Sequence, residues 1–330
     1  MNRFAVMAST SQTLSIAAME EASRLGQREA DLDHLLLALT LSTHPAGQVL
    51  RASGVTLDAV RLAIAEQRAV ELESIGISAE ASTEPGPIDF HQTGGYEWSA
   101  RCLEILSRAS SRGKNGDAES VLRELLNDRS GLIDDLLARV GTSSAALVSR
   151  LDEVADLAVH RPRSGGRGEA SGFTETFVPA SVAEVWDLLS RPARMPEWDV
   201  LCGRVELPEG VDTASAGASW ASIAPERRPD GRPLRIRPRF ARRRVETLAV
   251  DTEALIAWRF SYPGAPRSIP MRVTIALTPA AGGTQLEIAL AWRRSRGWRQ
   301  IVGFPMRPLQ RFAIWIQLTH ISGGISRVFR

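Results

Sequence analysis

The chain has 330 residues, more than a single average core holds, so two or three compact units are expected. With 44% hydrophobic and 24% charged residues, the composition is that of a globular protein and excludes a disordered chain. The net charge of +2 hides a split: residues 1–160 hold 14 basic and 23 acidic side chains, and residues 161–330 hold 26 and 15. Two domains of separate origin and opposite field are the economical reading, with arginine supplying nearly all the positive charge because Lys114 is the sole lysine.

Cys102 and Cys202 lie too far apart for a metal-ligand spacing or a disulfide framework and suit a reducing compartment. The opening "MNRFAVMASTSQ" lacks the apolar core of a secretory signal. The longest charge-free stretch near the C-terminus, Phe312 to Ser326, falls short of the roughly 20 residues needed to cross a bilayer. A soluble, cytoplasmic protein without a transmembrane segment is expected.

From the start, helical patterns alternate with short polar breaks. In "TLSIAAMEEASRLG", Leu14, Ala17, Ala18, Ala22 and Leu25 recur at helical steps, and Gly26 stands where a helix would stop. Asp31 or Asp33 can cap "LLLAL", and Thr56 precedes the stripe Leu57, Val60, Ile64. Sliding the chain by 87 residues reveals a repeat: Leu35 falls on Leu122, Leu39 on Leu126, Val49 and Leu50 on Leu136 and Leu137, Gly54 on Gly141, and Val60 on Leu147. The repeats cover about residues 9–75 and 91–157, with "ISAEASTEPGPIDF" (Ile77 to Phe90) as the linker between them.

A second linker at 160–171, within "HRPRSGGRGEASG", divides a domain of residues 1–159 from one of residues 172–330. Beyond it a helix capped by Ser181 buries Val182, Val185, Trp186 and Leu189. Three alternating strands follow. The first sets Ile256, Trp258, Phe260 and Tyr262 on one face, the second Met271, Val273, Ile275 and Leu277, and the third Leu286, Ile288, Leu290 and Trp292. They predict an antiparallel sheet with one wet face. A long terminal helix offers the stripe Leu309, Phe312, Trp315, Ile316 and Thr319 to lie on that sheet.

Residues 1–159 resemble the tandem-repeat N-terminal domain of the Clp class of ATPases, through "EEASRLG", "DLDHLLLALTL", "AGQVLRASGVTLDAVRLAI" and the degenerate copy "VLRELLND" with "LIDDLLARVGTSSAALVSRL". The resemblance implies a docking platform for protein partners or clients, with Asp33 and His34 as docking residues. It does not imply a motor: around Lys114, Arg108 and Asn115 stand where a phosphate-cradling loop needs glycine and a hydroxyl. Some family members receive phosphorylated arginine at an acidic residue after Gly-Thr, but Leu32 precedes Asp33 here and Glu119 precedes Ser120, so the threonine is lost in both copies.

Residues 172–330 resemble the START-like/SRPBCC superfamily, particularly its polyketide cyclase/dehydrase branch, through "ETFVPASVAEVWDLLSRPARMPEWD", "MRVTIALTPAAGGTQLEIAL" and the terminal helix. The whole chain is then multidomain: an all-α double-repeat Clp N-type domain followed by an α+β helix-grip (START-like) domain with an antiparallel sheet. That fold implies a cavity between sheet and last helix, lined by Trp198, Trp258, Phe260, Tyr262, Trp292, Phe312, Trp315 and Ile316. Such aromatics either fill a core or line a pocket for a lipid, isoprenoid or polyketide ligand.

Catalysis would need a positioned acid or base, and only Tyr262 and His320 offer weak candidates. No cofactor motif and no metal-ligand cluster stands out. "ERRPDGRPLRIRPRFARRR" holds nine arginines between Arg227 and Arg244. Arg235, Arg237, Arg239, Arg242, Arg243 and Arg244 are candidates for an anionic surface, which makes peripheral membrane contact a reading beside a solvated or intramolecular one. Nucleic acid is disfavoured, since Phe240 is the only aromatic among the arginines. The expected function is a bacterial-type, non-catalytic accessory or adaptor protein that joins a protein-docking domain to a hydrophobic-ligand domain. The alternative is a cyclase-like enzyme with a helical regulatory domain.

Overall fold

Gly54 and Gly141 both hold left-handed backbone, at φ +83° and +86°, a conformation that costs glycine nothing and other residues about 1 kcal/mol or more. They end equivalent helices of a repeated unit. The structure, a computed structural model, describes residues 3–76, 88, 96–111, 114–155, 169–227, 231–293 and 307–330. The chain divides into two compact units, Met1–Val159 and His160–Arg330.

In the first unit, α1 (Arg3–Arg24), α2 (Leu32–Thr40), α3 (Pro45–Ala52) and α4 (Leu57–Ser74) are followed by α5 (Ala100–Ala109), α6 (Ala118–Leu126), α7 (Leu132–Val140) and α8 (Ser144–Ala155). The starts of α6, α7 and α8 lie 86, 87 and 87 residues after those of α2, α3 and α4. Every apolar pair matched by the sequence offset, from Leu35 with Leu122 to Val60 with Leu147, is buried in one common core. A two-residue parallel bridge of β1 (Glu29–Ala30) with β2 (Glu97–Trp98) ties the lead-in of α2 to that of α5. The expected linker at 77–90 lies outside the described residues except for Ile88.

The second unit is one antiparallel sheet of seven strands wrapped on a helix. β3 (Glu169–Val178), α9 (Val182–Ser190), α10 (Met195–Trp198), β4 (Arg204–Glu206) and β5 (Ser219–Ile223) lead to α11 (Pro238–Ala241). Then come β6 (Arg242–Asp251), β7 (Leu255–Ser261), β8 (Met271–Ala280), β9 (Gly283–Arg293) and α12 (Arg307–Val328). The strand order is β3-β9-β8-β7-β6-β5-β4. β3 starts at Glu169, inside the stretch expected to be linker, because Glu169 to Gly172 complete its ladder with β9 up to Arg293. The multiple helices and the large antiparallel sheet fit a helix-grip fold.

Register explains the core. Ile256 faces Ile275, Trp258 faces Val273, and Val273 faces Leu290, so alternate residues of β7, β8 and β9 share the face under α12. The helix presents Ile314, Leu318, Ile321 and Ile325 to them. This corrects the expected stripe: Phe312 (57% exposed) and Trp315 (43%) lie on the outward side, stacked on each other at 5.8 Å, and the Leu309 side chain lies outside the described residues. The spacing of aromatic residues suggests one face, whereas the branched aliphatics one to three positions further on fit the sheet surface.

Candidate functional site

Strand alternation turns the middle of the Arg242–Arg243–Arg244 run inward. Val245 and Thr247 continue that face, and Arg243 is 4% exposed. The expectation of an anionic surface is thereby corrected at Arg243, because its guanidinium is paired inside the fold. Its Nη2 donates to the Asp199 carboxylate and, at 3.1 Å, to Ser222 Oγ, while its charge lies 4.6 Å from the centre of the Phe260 ring. Asp199 follows directly on α10, and its Oδ1 accepts the Leu201 N–H at 3.0 Å, which fixes the turn after the helix.

α12 closes over this pair. At Gly324 a Cβ would lie 1.9 Å from the Trp198 carbonyl oxygen, so only glycine lets the helix approach α10. Trp198 in turn stacks on Trp258 at 5.6 Å. Beside Trp198 remains a narrow, nearly closed cleft of about 20 Å³, room for roughly one water-sized group. Trp198, Asp199, Arg243, Phe260, Met271 and Val273 form one side, Val200 and Leu201 its rim, and Gln317, His320 and Ile321 of α12 the other side.

Electrically the cleft is close to neutral, since Arg243 and Asp199 compensate each other. Two residues of its lining carry a buried donor, Trp198 Nε1 and Arg243 Nε, that has no acceptor among the described residues. Buried indole and guanidinium N–H groups normally find one. The thiol of Cys202, beside Ser222, is pushed up by burial and is no nucleophile at neutral pH.

The sequence-derived candidates divide among several places. Trp198 and Phe260 line the cleft; Trp258 is fully buried behind Trp198 and fills the core. Tyr262 follows the end of β7, packs edge-on against Phe240 at 5.2 Å and does not line the cleft. Trp292 is half-buried opposite Met271, and Ile316 is half-buried on α12. His320 does line the cleft, at its exposed edge. Sequence reasoning misses Asp199 and Ser222; the available signals are the acid after "EW" and the position of Ser222 on an alternating strand.

A second cleft lies in the first unit, where α2, α4 and α7 meet. It holds about 220 Å³ and is lined by Gln27, Asp31, Asp33, His34, Arg68 and Glu71 among others. Asp33 accepts from the His34 N–H at 2.8 Å and from Arg68 at 2.9 Å. His34 Nδ1 accepts the Asp31 N–H at 3.2 Å, and its Nε2 has no partner among the described residues. Burial raises the Asp33 carboxyl, but His34 and Arg68 outweigh it and hold it below the ordinary range.

The stability contributed by Asp33 is therefore present above its unfolded pKa of about 4 and is lost as pH falls through the lower folded value. Helical circular dichroism melts should show the first unit weakening below about pH 4. Arg68→Ala should cost about 0.5–1 kcal/mol at neutral pH and flatten that dependence. An unchanged acid profile would contradict the network.

Among the described residues no group of three His, Cys, Asp or Glu side chains is arranged to hold a metal ion, and no helix is long and apolar enough to cross a membrane.

Residues 172–313 match the family model described as polyketide cyclase/dehydrase and lipid transport. This region of the chain is a domain of that kind. No curated protein matches the chain. Similar solved structures include a protein of Chromobacterium violaceum, 16% identical over 47% of this chain and 96% of its own (TM-score 0.32). Another is the major latex-like protein 151 of Panax ginseng, at 11% over 49% and 98% (TM-score 0.35). A third is a norcoclaurine synthase point mutant of Thalictrum flavum with a transition-state analogue, at 14% over 49% and 94% (TM-score 0.36).

Proposed function

We propose that the second unit binds a hydrophobic small molecule carrying at least one oxygen acceptor. The observation that carries this reading is a cleft lining that joins apolar side chains to the balanced Arg243–Asp199 pair and to residues with two buried donors, Trp198 Nε1 and Arg243 Nε, that have no acceptor among the described residues. A carbonyl or hydroxyl oxygen would satisfy them, and α12 would have to part from Val200 and Leu201 for the rest of the molecule to lie against Phe260, Val273 and Ile321. Lipids, isoprenoids and polyketides all have this chemistry, and the family description of residues 172–313 supports the same class.

The chain as a whole is then an accessory or adaptor protein of the cytoplasm, its first unit a Clp-type docking platform for a protein partner. Support for that part is the double four-helix repeat with a cleft at Asp33 and His34. Catalysis is the second reading, favoured by one observation: His320 sits at the edge of the cleft.

Titration with the neutral dye Nile red, followed by displacement with candidate lipids and polyketides, tests ligand binding. Met271→Trp puts an indole into the cleft from a half-buried position and should weaken dye binding about tenfold, or roughly 1.4 kcal/mol. Equal affinity of the two proteins would sink the assignment of the cleft. His320→Ala, at the exposed edge of the cleft, should weaken binding less than Met271→Trp under either reading and abolish turnover only if the site is catalytic.

A further inference from the structure

Two loops cap the end of the sheet at which the cleft opens. β5 ends where β6 begins, Ile223 opposite Arg242, and β7 ends where β8 begins, Phe260 opposite Met271. Arg243, Phe260 and Met271, all from that end, line the cleft. The β5–β6 loop, described at residues 224–227 and 231–241, and the β7–β8 loop, residues 262–270, therefore rise together beside its mouth. They also touch: a Cβ on Gly264 would lie 2.9 Å from the Arg239 carbonyl oxygen, and Phe240 packs on Tyr262.

Cations outnumber acids on this lip, whose described residues hold six arginines against Glu226. Arg242 is paired with Glu206 and Arg259 with Glu246. Arg235, Arg237, Arg239 and Arg267 are exposed and have no ion-pair partner among the described residues. Beside them stand exposed apolar side chains: Ile269 (50%), two residues before Met271, and Val200 and Leu201 on the rim of the cleft. Cations interleaved with aliphatic side chains are what an anionic bilayer accommodates, charges at the headgroups and aliphatics in the acyl boundary. Single-stranded nucleic acid would call for open aromatic faces, and the lip's Phe240 is already engaged with Tyr262 and Arg239.

We infer that this lip docks the second unit on an anionic membrane surface with the cleft mouth facing the lipid. The inference goes beyond ligand binding, since the lip would hold the bilayer whether or not the cleft is filled. Each arginine near such a surface strengthens partitioning about fivefold.

Co-sedimentation of the full chain with vesicles of phosphatidylcholine, with and without about 30% phosphatidylserine, tests it. Wild type is expected to bind only the anionic vesicles and to release them as salt rises from about 0.05 to 0.5 M. Arg235→Gln with Arg237→Gln and Arg239→Gln, all exposed, should bind about 100-fold more weakly with an unchanged melt. Ile269→Asp should also weaken binding. Arg191→Gln, exposed on the turn after α9 and paired to Asp187, should not. Wild type remaining in the supernatant, or a triple variant that binds as tightly, would overturn the inference. So would loss of an oligonucleotide affinity in the triple variant with no vesicle binding by wild type. Nile red titration of the same samples reads the cleft separately, so failure of either assignment is distinguishable.

Discussion

Asp199→Ala is expected to lower the unfolding free energy of the second unit by about 3–5 kcal/mol, because it leaves the Arg243 charge buried without a counter-ion. The two side chains, Arg243 and Asp199, are only 5% and 8% exposed, so water cannot take over the missing partner. The loss of the Leu201 N–H acceptor adds to the effect by freeing the turn that forms the rim. Combining Asp199→Ala with Arg243→Met should restore most of the loss, since removing both charges also removes the desolvation cost that makes the single change expensive. Tryptophan fluorescence reads this unit almost alone: Trp98 is the only one of eight tryptophans in residues 1–159. A single variant that costs under about 1 kcal/mol would contradict a buried pair.

Trp258→Ala should cost a similar amount, about 3–5 kcal/mol, through the cavity it opens. Trp258 is fully buried, stacks on Trp198 and lies 6.5 Å from Phe260, so three rings lose packing at once. Trp258→Phe should be far milder, about 1 kcal/mol, because its Nε1 has no partner among the described residues and removing that donor offsets part of the lost volume. Denaturant melts of the two variants distinguish these outcomes; equal, small effects would mean that the ring is not part of the core.

How much of this is readable from the residues depends on the range of the interaction. The helical repeat is, because Leu35 with Leu122 and Gly54 with Gly141 keep the same role at a fixed offset. The inner faces of β7, β8 and β9 are, because period-2 alternation fixes them locally. Tyr262 departs from its expected place because its strand ends at Ser261, a boundary set by the turn toward β8. On α12 two apolar stripes share helical spacing. Phe312 and Trp315 stand three residues apart, while Ile314, Leu318, Ile321 and Ile325 recur at steps of four, three and four. Periodicity allows either face, and only packing on the sheet selects the second.

The inward turn of Arg243 is hidden by its charged neighbours, since a run of three arginines reads as surface until Asp199, 44 residues earlier, is seen to meet it. The cleft is legible only in part for the same reason. Trp198 and Phe260 announce themselves as large aromatics, whereas the acid and the hydroxyl that hold Arg243 come from a turn and a strand that the sequence does not bring together.

The central claim, that the cleft beside Trp198 and Arg243 holds a hydrophobic molecule with an oxygen acceptor, is tested most directly by native mass spectrometry of the gently purified full chain. Wild type should carry an adduct that organic solvent releases as a lipid, isoprenoid or polyketide, and Met271→Trp should appear at its bare mass. A bare mass for wild type, together with no displacement of Nile red by any of these classes, would contradict the account.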